Sequence, residues 1–377
     1  MAQGQLETIP TSVPGLKIVY DFVSAAEERF LLSHIDRVGG GSGPGVQGAN
    51  KSWGWKQLSD RRSMYWGGTV LPNSGSLVPA PFPKFMDGEW PDVLDRIAQT
   101  GVYDEWSEGK GKGKERGPNH CLVNEYLPGQ GILPHTDGPA YLPCTTTLSL
   151  GSHTILSLRS KPDHLRGAKP STDDAHRRDD DAERDGSSRQ PRPPSIAPTA
   201  STSSRPVPID KIEVLLPPRS LLVLSSTLYS DYLHGIQPLS HSPIESLKAC
   251  ANWEGWWRWK GEHDEALVKR GKEDRATSGN GREEGNDSRD DEAGKELTEV
   301  TGGGVDPPEP NDSTTLEPRS EEDDDDDVEV LNETSPERLE RVAAERKLVE
   351  SGHGWERGKR VSLTCRRVER IRRIKLG

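Results

Sequence analysis

The sequence predicts a mostly β domain with flanking helices, of the sandwich or barrel type, and three observations support this. Six short segments are rich in β-branched or apolar residues, and most are bounded by Gly, Pro or Ser, which is typical of strands in such folds. Two helix-start signals precede them. Hydrophobic residues make up only 31% of the 377 residues and charged residues 29%, so we expect one folded domain with long disordered segments.

Residues 1–118 are predicted to hold the helices and a surface-loop region. Ser24 and Glu27 have the spacing of a capping box, which opens a helix carrying Phe30 and Leu31. Pro91 is placed to begin a second, short helix.

Residues 53–66 combine aromatic rings with cations. A surface that stacks and holds an unpaired nucleic-acid base requires this combination, although aromatic residues near a turn also pack the edge of a core. The residues concerned are Trp53, Trp55, Lys56, Arg61, Arg62, Tyr65 and Trp66.

The predicted strands fall into three regions of the chain. Residues 119–160 hold strands at 120–126, 145–150 and 154–158, and residues 209–240 hold strands at 212–216 and 221–224. Residues 353–377 hold the last strand, at 361–367, and a basic C-terminus. A basic run of this kind contacts phosphate or serves in nuclear import, or is simply a solvated end.

Two insertions are predicted to separate these regions. Residues 161–208 are dominated by Asp, Arg, Ser and Pro, and cannot offset the entropy cost of ordering. Residues 241–352 form a Trp-containing, acidic and mostly disordered insertion, in which 263–334 should not fold alone and a capped helix ends near Gly352. This insertion is interpreted as binding protein partners through its acidic run at 321–327 and through a cluster near its start: Trp253, Trp256, Trp257 and Trp259.

Charge, cysteine usage and hydropathy limit the classes of protein to which the chain can belong. The net charge of -12 disfavours a polyanionic partner, but the acid is unevenly distributed along the chain. The four cysteines form no C-x-x-C pair, which favours a reduced compartment and implies no structural zinc site. No signal peptide or membrane-spanning run is present in the sequence. We expect a soluble monomer of the nucleus and cytoplasm.

The chemistry is predicted to lie at His135 and Asp137. Alternate residues of a strand point to the same side, so the pair can present an imidazole and a carboxylate to one cation. With a second histidine, such a set leaves one face of Fe(II) open for a bidentate co-substrate and O2. His234 is the best third ligand because the strand at 221–224 leads towards His234-Gly235. The other histidines are less well placed, and we interpret His120 and His153 as solvated or hydrogen-bonded side chains.

Arg360 and Arg366 lie an even number of residues apart on the last predicted strand, with Val361, Leu363 and Cys365 between them. The two guanidinium groups should therefore share one face. A planar guanidinium matches a carboxylate in two charge-assisted hydrogen bonds, so one arginine can anchor a dicarboxylic co-substrate. Two exposed basic residues of a C-terminal tail are the alternative interpretation.

Taken together, five motifs resemble those of the AlkB family of oxygenases, most of all the branch called AlkB homolog six. They are Asn124-Glu-Tyr126, His135-x-Asp137, Pro218-Arg-Ser-Leu-Leu-Val223, His234-Gly235 and Arg360-x-Ser-Leu-Thr-x-Arg366. The resemblance covers the strand-rich regions and neither insertion. It implies a double-stranded β-helix, or jelly roll, with an N-terminal lid over the substrate.

The resemblance also implies residue roles. His135, Asp137 and His234 would ligate iron, and Arg360 would pair with the distal carboxylate of 2-oxoglutarate. Asn124 and Tyr126 would assist that binding, and Arg366 would bear on substrate placement. Where the family's DNA-repair type has an asparagine two residues after the first arginine, this chain has Ser362.

The activity implied is oxidative decarboxylation of 2-oxoglutarate with O2, coupled to hydroxylation of a substrate carbon. A hydroxylated N-methyl group would then leave as formaldehyde. Three functions stay open: demethylation of an alkylated nucleic acid or nucleoprotein, hydroxylation or demethylation of a protein side chain, and a noncatalytic interaction protein on the same scaffold.

Overall fold

The computed structural model describes residues 5–40, 54–106, 113–162, 211–279, 343, 346–347 and 350–372. The predicted insertion at 161–208 lies outside these residues except for Lys161 and Pro162. The described part contains no helix long and apolar enough to cross a bilayer.

The described elements include sixteen strands and five α-helices. The strands are β1 (Glu7–Thr8), β2 (Leu16–Val19), β3 (Lys56–Gln57), β4 (Arg62–Trp66), β5 (Gly68–Val70), β6 (Leu77–Pro79), β7 (His120–Tyr126), β8 (Ile132–His135), β9 (Tyr141–Leu150), β10 (Thr154–Ser160), β11 (Lys211–Leu216), β12 (Leu221–Ser225), β13 (Tyr232–Ile236), β14 (His241–Ser242), β15 (Trp355–Glu356) and β16 (Arg360–Val368). The helices are α1 (Ala25–Val38), α2 (Val93–Gln99), α3 (Ser226–Ser230), α4 (Ile244–Lys248) and α5 (Trp253–Gly279). All six predicted strands are present.

The strand connectivity confirms the predicted jelly roll. An eight-stranded sheet has the order β1-β2-β12-β9-β16-β7-β4-β3, and a four-stranded sheet has the order β11-β10-β13-β8. Along the chain, β7, β9, β12 and β16 belong to the larger sheet, while β8, β10, β11 and β13 belong to the smaller one. All the ladders that join these strands are antiparallel. The chain thus winds between two facing sheets.

Two helices cover the outer face of the larger sheet. The predicted capping box at the start of α1 is confirmed, because Ser24 Oγ accepts from the Glu27 amide (3.2 Å) and Glu27 Oε2 accepts from the Ser24 amide (2.7 Å). Leu31 of α1 and Ile97 of α2 pack with Val361 of β16 in one buried cluster. This layer buries the outer face of the larger sheet.

The tryptophan segment corrects one prediction. Trp253 and Trp256 lie at the start of α5 and are buried in the core with Leu247 of α4, so they do not form an exposed binding segment. The prediction that 263–334 cannot fold is wrong for 263–279, which continue α5. Residues 280–334, including the acidic run, lie outside the described part of the chain. Of the helix predicted before Gly352, residues 343, 346–347 and 350 are described, and they are helical.

Candidate iron and 2-oxoglutarate site

A cavity that opens to solvent lies between the two sheets, and every candidate site residue of the sequence lines it. The larger sheet contributes Asn124 and Tyr126 from β7 and both arginines from β16, and the smaller sheet contributes the two histidines. The predicted alternation of β16 is confirmed. Arg360 and Arg366 line the cavity, whereas the residues between them include Val361, Leu363 and Cys365, which pack on the opposite face.

The three predicted metal ligands come together at one end of the smaller sheet. His135 closes β8 and is the direct cross-strand partner of His234 in β13, with ring centroids 4.4 Å apart. One ligating atom from each histidine and one from Asp137 all lie within 4.8 Å of one another. His234 lies inside a strand of its own, β13, which follows the predicted strand at 221–224 after helix α3.

Gly235 permits the close approach of these two strands. A Cβ atom at this position would lie 2.9 Å from the Pro134 backbone nitrogen and 3.0 Å from the Ile132 carbonyl oxygen. Real Cβ atoms do not come so near to backbone atoms, and a side chain here would push β8 away from β13. The glycine of the His-Gly motif therefore keeps His135 and His234 opposite each other.

Hydrogen bonds prepare the ligands for a cation. His135 Nδ1 lies 2.8 Å from the Leu133 carbonyl oxygen; because a carbonyl only accepts, Nδ1 carries the proton and Nε2 is left with a lone pair. Asp137 Oδ1 accepts from Arg366 Nη2 at 2.6 Å, while the buried Oδ2 has no hydrogen-bond partner. The three residues thus offer metal-ligating atoms, among them Asp137 Oδ2, that have no partner within the protein.

The protonation states also suit metal binding. Burial lowers the pKa of His135, and lowers that of His234 to about 4, so both rings are neutral near pH 7. Burial alone would raise the pKa of Asp137, but Arg366 and the two histidines outweigh it and hold the pKa below its usual value. Neutral imidazoles and an ionised carboxylate are the forms that ligate metals.

Arg360 lies at the other end of the cavity and is only 3% exposed. Its Nη2 donates to Ser149 Oγ at 2.8 Å, but Nε and Nη1 have no partner, and its guanidinium carbon lies 5.7 Å from the centre of the Tyr126 ring. A buried guanidinium with two unsatisfied nitrogens is costly unless a ligand pairs with it. A carboxylate fits this position.

The polar face of β9 was not predicted from the sequence. Thr145 and Thr147 line the cavity, and Ser149 accepts the hydrogen bond from Arg360. Small hydroxyl residues at every second position of an otherwise buried strand were the signal that could have found them. Ser362, at the position where the family's DNA-repair type has an asparagine, also lines the cavity.

The competing histidines lie elsewhere or play other parts. His153 is buried, stacks on Trp355 at 4.0 Å and bonds to Ser242 Oγ at 3.0 Å, as predicted for a structural side chain. His241 lies in β14 and pairs with Glu356 of β15. His120 is 2% exposed and its Nδ1 has no hydrogen-bond partner, so the interpretation fails for this nitrogen.

The aromatic and basic segment at 53–66 is divided between the two faces of the sheet. Trp66 is fully buried on the helix-covered face, whereas Tyr65 is 43% exposed and contacts His120. Arg62 bonds to Glu125 and lies over the Trp55 ring. Only part of this segment is therefore free to meet a substrate, and Trp53 lies outside the described residues.

Several of the known proteins that this chain resembles carry ALKBH names. No protein-family model matches the chain. The "Probable RNA/DNA demethylase ALKBH6" of Danio rerio is 32% identical over 224 residues, which cover 59% of this chain and 70% of that protein. The "tRNA (carboxymethyluridine(34)-5-O)-methyltransferase alkbh8" of Xenopus tropicalis is 24% identical over 63% of this chain and 27% of its own. Among solved structures, that of OsALKBH1 aligns over 65% of this chain and 91% of its own, with 14% identity and a TM-score of 0.35.

Proposed function

Because this chain belongs to the AlkB-like family of Fe(II)- and 2-oxoglutarate-dependent oxygenases, we propose that it removes N-linked methyl groups from nucleic acid by oxidation. The observation that carries the proposal is the cavity itself. One end holds a His-Asp-His cluster with unsatisfied donor atoms, and the other holds a buried arginine with two unsatisfied nitrogens. An oxygenase that uses a metal and a dicarboxylic co-substrate requires both ends.

His135, Asp137 and His234 would hold the iron. Two imidazoles and one carboxylate leave coordination positions open for other ligands, as expected for a non-haem Fe(II) oxygenase rather than for a closed zinc site. When bound, Fe(II) and 2-oxoglutarate supply the oxidising chemistry with O2, and succinate and CO2 are the co-products. Arg366 would act through Asp137, because its 2.6 Å contact fixes the orientation of the carboxylate.

Arg360 would bind the distal carboxylate of 2-oxoglutarate through its free nitrogens. Ser149 holds the guanidinium from one side, and the Tyr126 ring lies beside it. Apolar side chains from both sheets close the rest of the cavity wall and exclude water from the reacting groups. These side chains are Leu122, Ile132, Leu156, Leu216, Leu222, Leu224 and Ile236.

The overall reaction conserves atoms without a further reductant. One O2 and one 2-oxoglutarate convert an N–CH3 group to N–CH2OH, with one oxygen atom in the new hydroxyl and the other in succinate. The N–C bond then breaks, the hydroxyl proton moves to the nitrogen, and formaldehyde leaves.

Nucleic acid is favoured over the two alternatives. A relative that shares 32% identity is named as an RNA/DNA demethylase, and the complete ligand set disfavours a noncatalytic scaffold. The tryptophans that suggested a protein-binding segment are largely buried. Protein partners of the acidic run stay a prediction.

The test measures succinate and formaldehyde together. The protein is incubated with Fe(II), 2-oxoglutarate and O2 and with matched methylated and unmethylated oligonucleotides or peptides. We expect methylated oligonucleotides to stimulate both products equally, and His234→Ala to abolish both. Stimulation by methylated peptides alone would favour the protein-modifying alternative and contradict the proposal.

A further inference from the structure

Two consecutive arginines, at the end of the turn between β3 and β4, bind consecutive residues of β7. The turn is closed by the Leu58 amide, which donates to the Arg61 carbonyl oxygen at 2.9 Å. Arg61 Nε donates to Asn124 Oδ1 at 3.3 Å, whereas Arg62 donates to the two carboxylate oxygens of Glu125 at 2.7 and 2.6 Å. Neighbouring residues of a strand point to opposite sides of the sheet. Arg61 therefore acts on the cavity side of β7, and Arg62 acts on the side that the helices cover.

The two arginines differ in what else they contact. Arg62 also pairs with Asp36 of α1 at 2.8 Å, so its charge is neutralised by two carboxylates that join the sheet to the helix layer. Arg61 is partly exposed. Among the described residues, the bond to Asn124 is the one that its side chain makes. A structural ion pair thus accounts for Arg62 and leaves Arg61 unexplained.

Asn124 lies between the two functional ends of the cavity. It lines the cavity and is the direct cross-strand partner of Ser362, which is two residues, or about 7 Å, from Arg360 along β16. Towards the other end of β16, Arg366 contacts the metal ligand Asp137. Under the function proposed above, a co-substrate that binds Arg360 and reaches the metal therefore passes beside Asn124.

The bond to Arg61 fixes the direction of the Asn124 amide. The two ends of an amide are nearly equal in size, and hydrogen-bond partners select which of them faces a given side. Since a guanidinium can only donate, the amide oxygen must face Arg61 and Nδ2 must point away from it. Nδ2 is bonded to no other group in the described part of the chain. If the amide were turned over, its oxygen would face the cavity and would repel an anionic ligand.

We propose, on the basis of the proposed function, that Arg61 is a positioning residue for 2-oxoglutarate. By holding Asn124 Oδ1, it keeps the amide N–H groups of Asn124 directed at the oxygens of the co-substrate between Arg360 and the metal ligands. Arg61 lies outside the motifs that resemble the AlkB family, in the segment at 53–66 that was predicted to meet the substrate. One cation of that segment therefore serves the co-substrate instead.

The test is a double-mutant cycle of Arg61→Met and Asn124→Ala in the full chain, with the Kd for 2-oxoglutarate measured by isothermal calorimetry in the presence of a redox-inert divalent metal. Asn124→Ala should raise the Kd about tenfold. Arg61→Met should raise it about threefold, because the released amide still adopts the same direction part of the time. Since Arg61 acts only through Asn124, the double variant should bind as weakly as Asn124→Ala alone. Arg61→Lys keeps a donor and should recover part of the affinity.

Arg62→Met is the matched control, because it removes the neighbouring arginine, whose partner Glu125 lies on the other side of β7. It should lower the melting temperature and leave the Kd unchanged, and Arg62→Lys replaces it if the Met variant does not fold. An unchanged Kd in Arg61→Met, or effects of the two substitutions that add in the double variant, would overturn the proposed role of Arg61 and leave the proposed function intact. A wild-type protein that binds the metal but not 2-oxoglutarate would contradict the proposed function itself.

Discussion

Replacing Arg360 separates binding of the co-substrate from stability of the fold. Each charge-assisted hydrogen bond contributes about 1.5 to 3 kcal/mol, and a factor of ten in affinity corresponds to about 1.4 kcal/mol. Loss of one such bond in Arg360→Met should therefore raise the Kd for 2-oxoglutarate roughly 10- to 100-fold. Arg360→Lys keeps a charge but loses the planar fork, so its Kd should lie between those of the wild type and the Met variant.

The stability of the ligand-free protein should change in the opposite direction. Burial lowers the pKa of Arg360 to about 10, and two of its nitrogens have no partner. An apolar side chain of similar length removes this buried charge, so the ligand-free Met variant should melt at the wild-type temperature or above.

The assay is isothermal calorimetry of 2-oxoglutarate with a redox-inert divalent metal, together with thermal melting of the ligand-free protein. Arg357→Met is the matched control, because Arg357 is also buried but is paired with Ser242 Oγ and the Gln237 carbonyl. It should lose stability and keep its affinity for 2-oxoglutarate. An unchanged Kd in folded Arg360→Met would refute the anchor. A large fall in its melting temperature would show that Arg360 holds the fold instead.

Three further predictions concern the fold and are measured by thermal or denaturant unfolding. Trp256→Ala should lower the free energy of unfolding by about 3 to 5 kcal/mol, because the ring is 2% exposed within the core. A near-neutral effect would show that α5 does not contribute to the core. Ser24→Ala should cost about 1 kcal/mol through loss of the α1 cap, and an unchanged stability would show that the cap contributes nothing. Arg159 and Lys211 are direct cross-strand partners on either side of 161–208, so replacing most of that stretch by a short turn should be nearly neutral. A large loss of stability there would mean that the insertion packs on the domain.

Much of the site follows from the sequence because strand periodicity fixes the direction of side chains. Arg360 and Arg366 are an even number of residues apart on a strand whose intervening apolar residues must face the core. The same reasoning brought His135 and Asp137 together, but only His135 lies in a strand, and Asp137 follows the end of β8. Strands β8 and β13 were not predicted because they contain Pro134 and Gly235. Both residue types ordinarily argue against a strand.

Helix α5 shows why the remainder of the fold was harder to predict. Its buried residues follow one another at helical spacing, three or four residues apart: Trp253, Trp256, Lys260, Asp264 and Leu267. Two of these five positions are charged, and they satisfy each other in an ion pair of 3.0 Å. The apolar period is therefore broken in the sequence, although the buried stripe is continuous in the structure.

We expect His135, Asp137 and His234 to hold Fe(II) while Arg360 holds 2-oxoglutarate in the same cavity. The most direct measurement is the visible spectrum of the anaerobic protein with Fe(II) and 2-oxoglutarate. A weak charge-transfer band should appear when both are added. It should be absent when either is omitted, and absent in Asp137→Asn, which keeps the shape of the side chain but not its charge. A well-folded wild-type protein that shows no band, or an Asp137→Asn protein that retains it, would contradict the account.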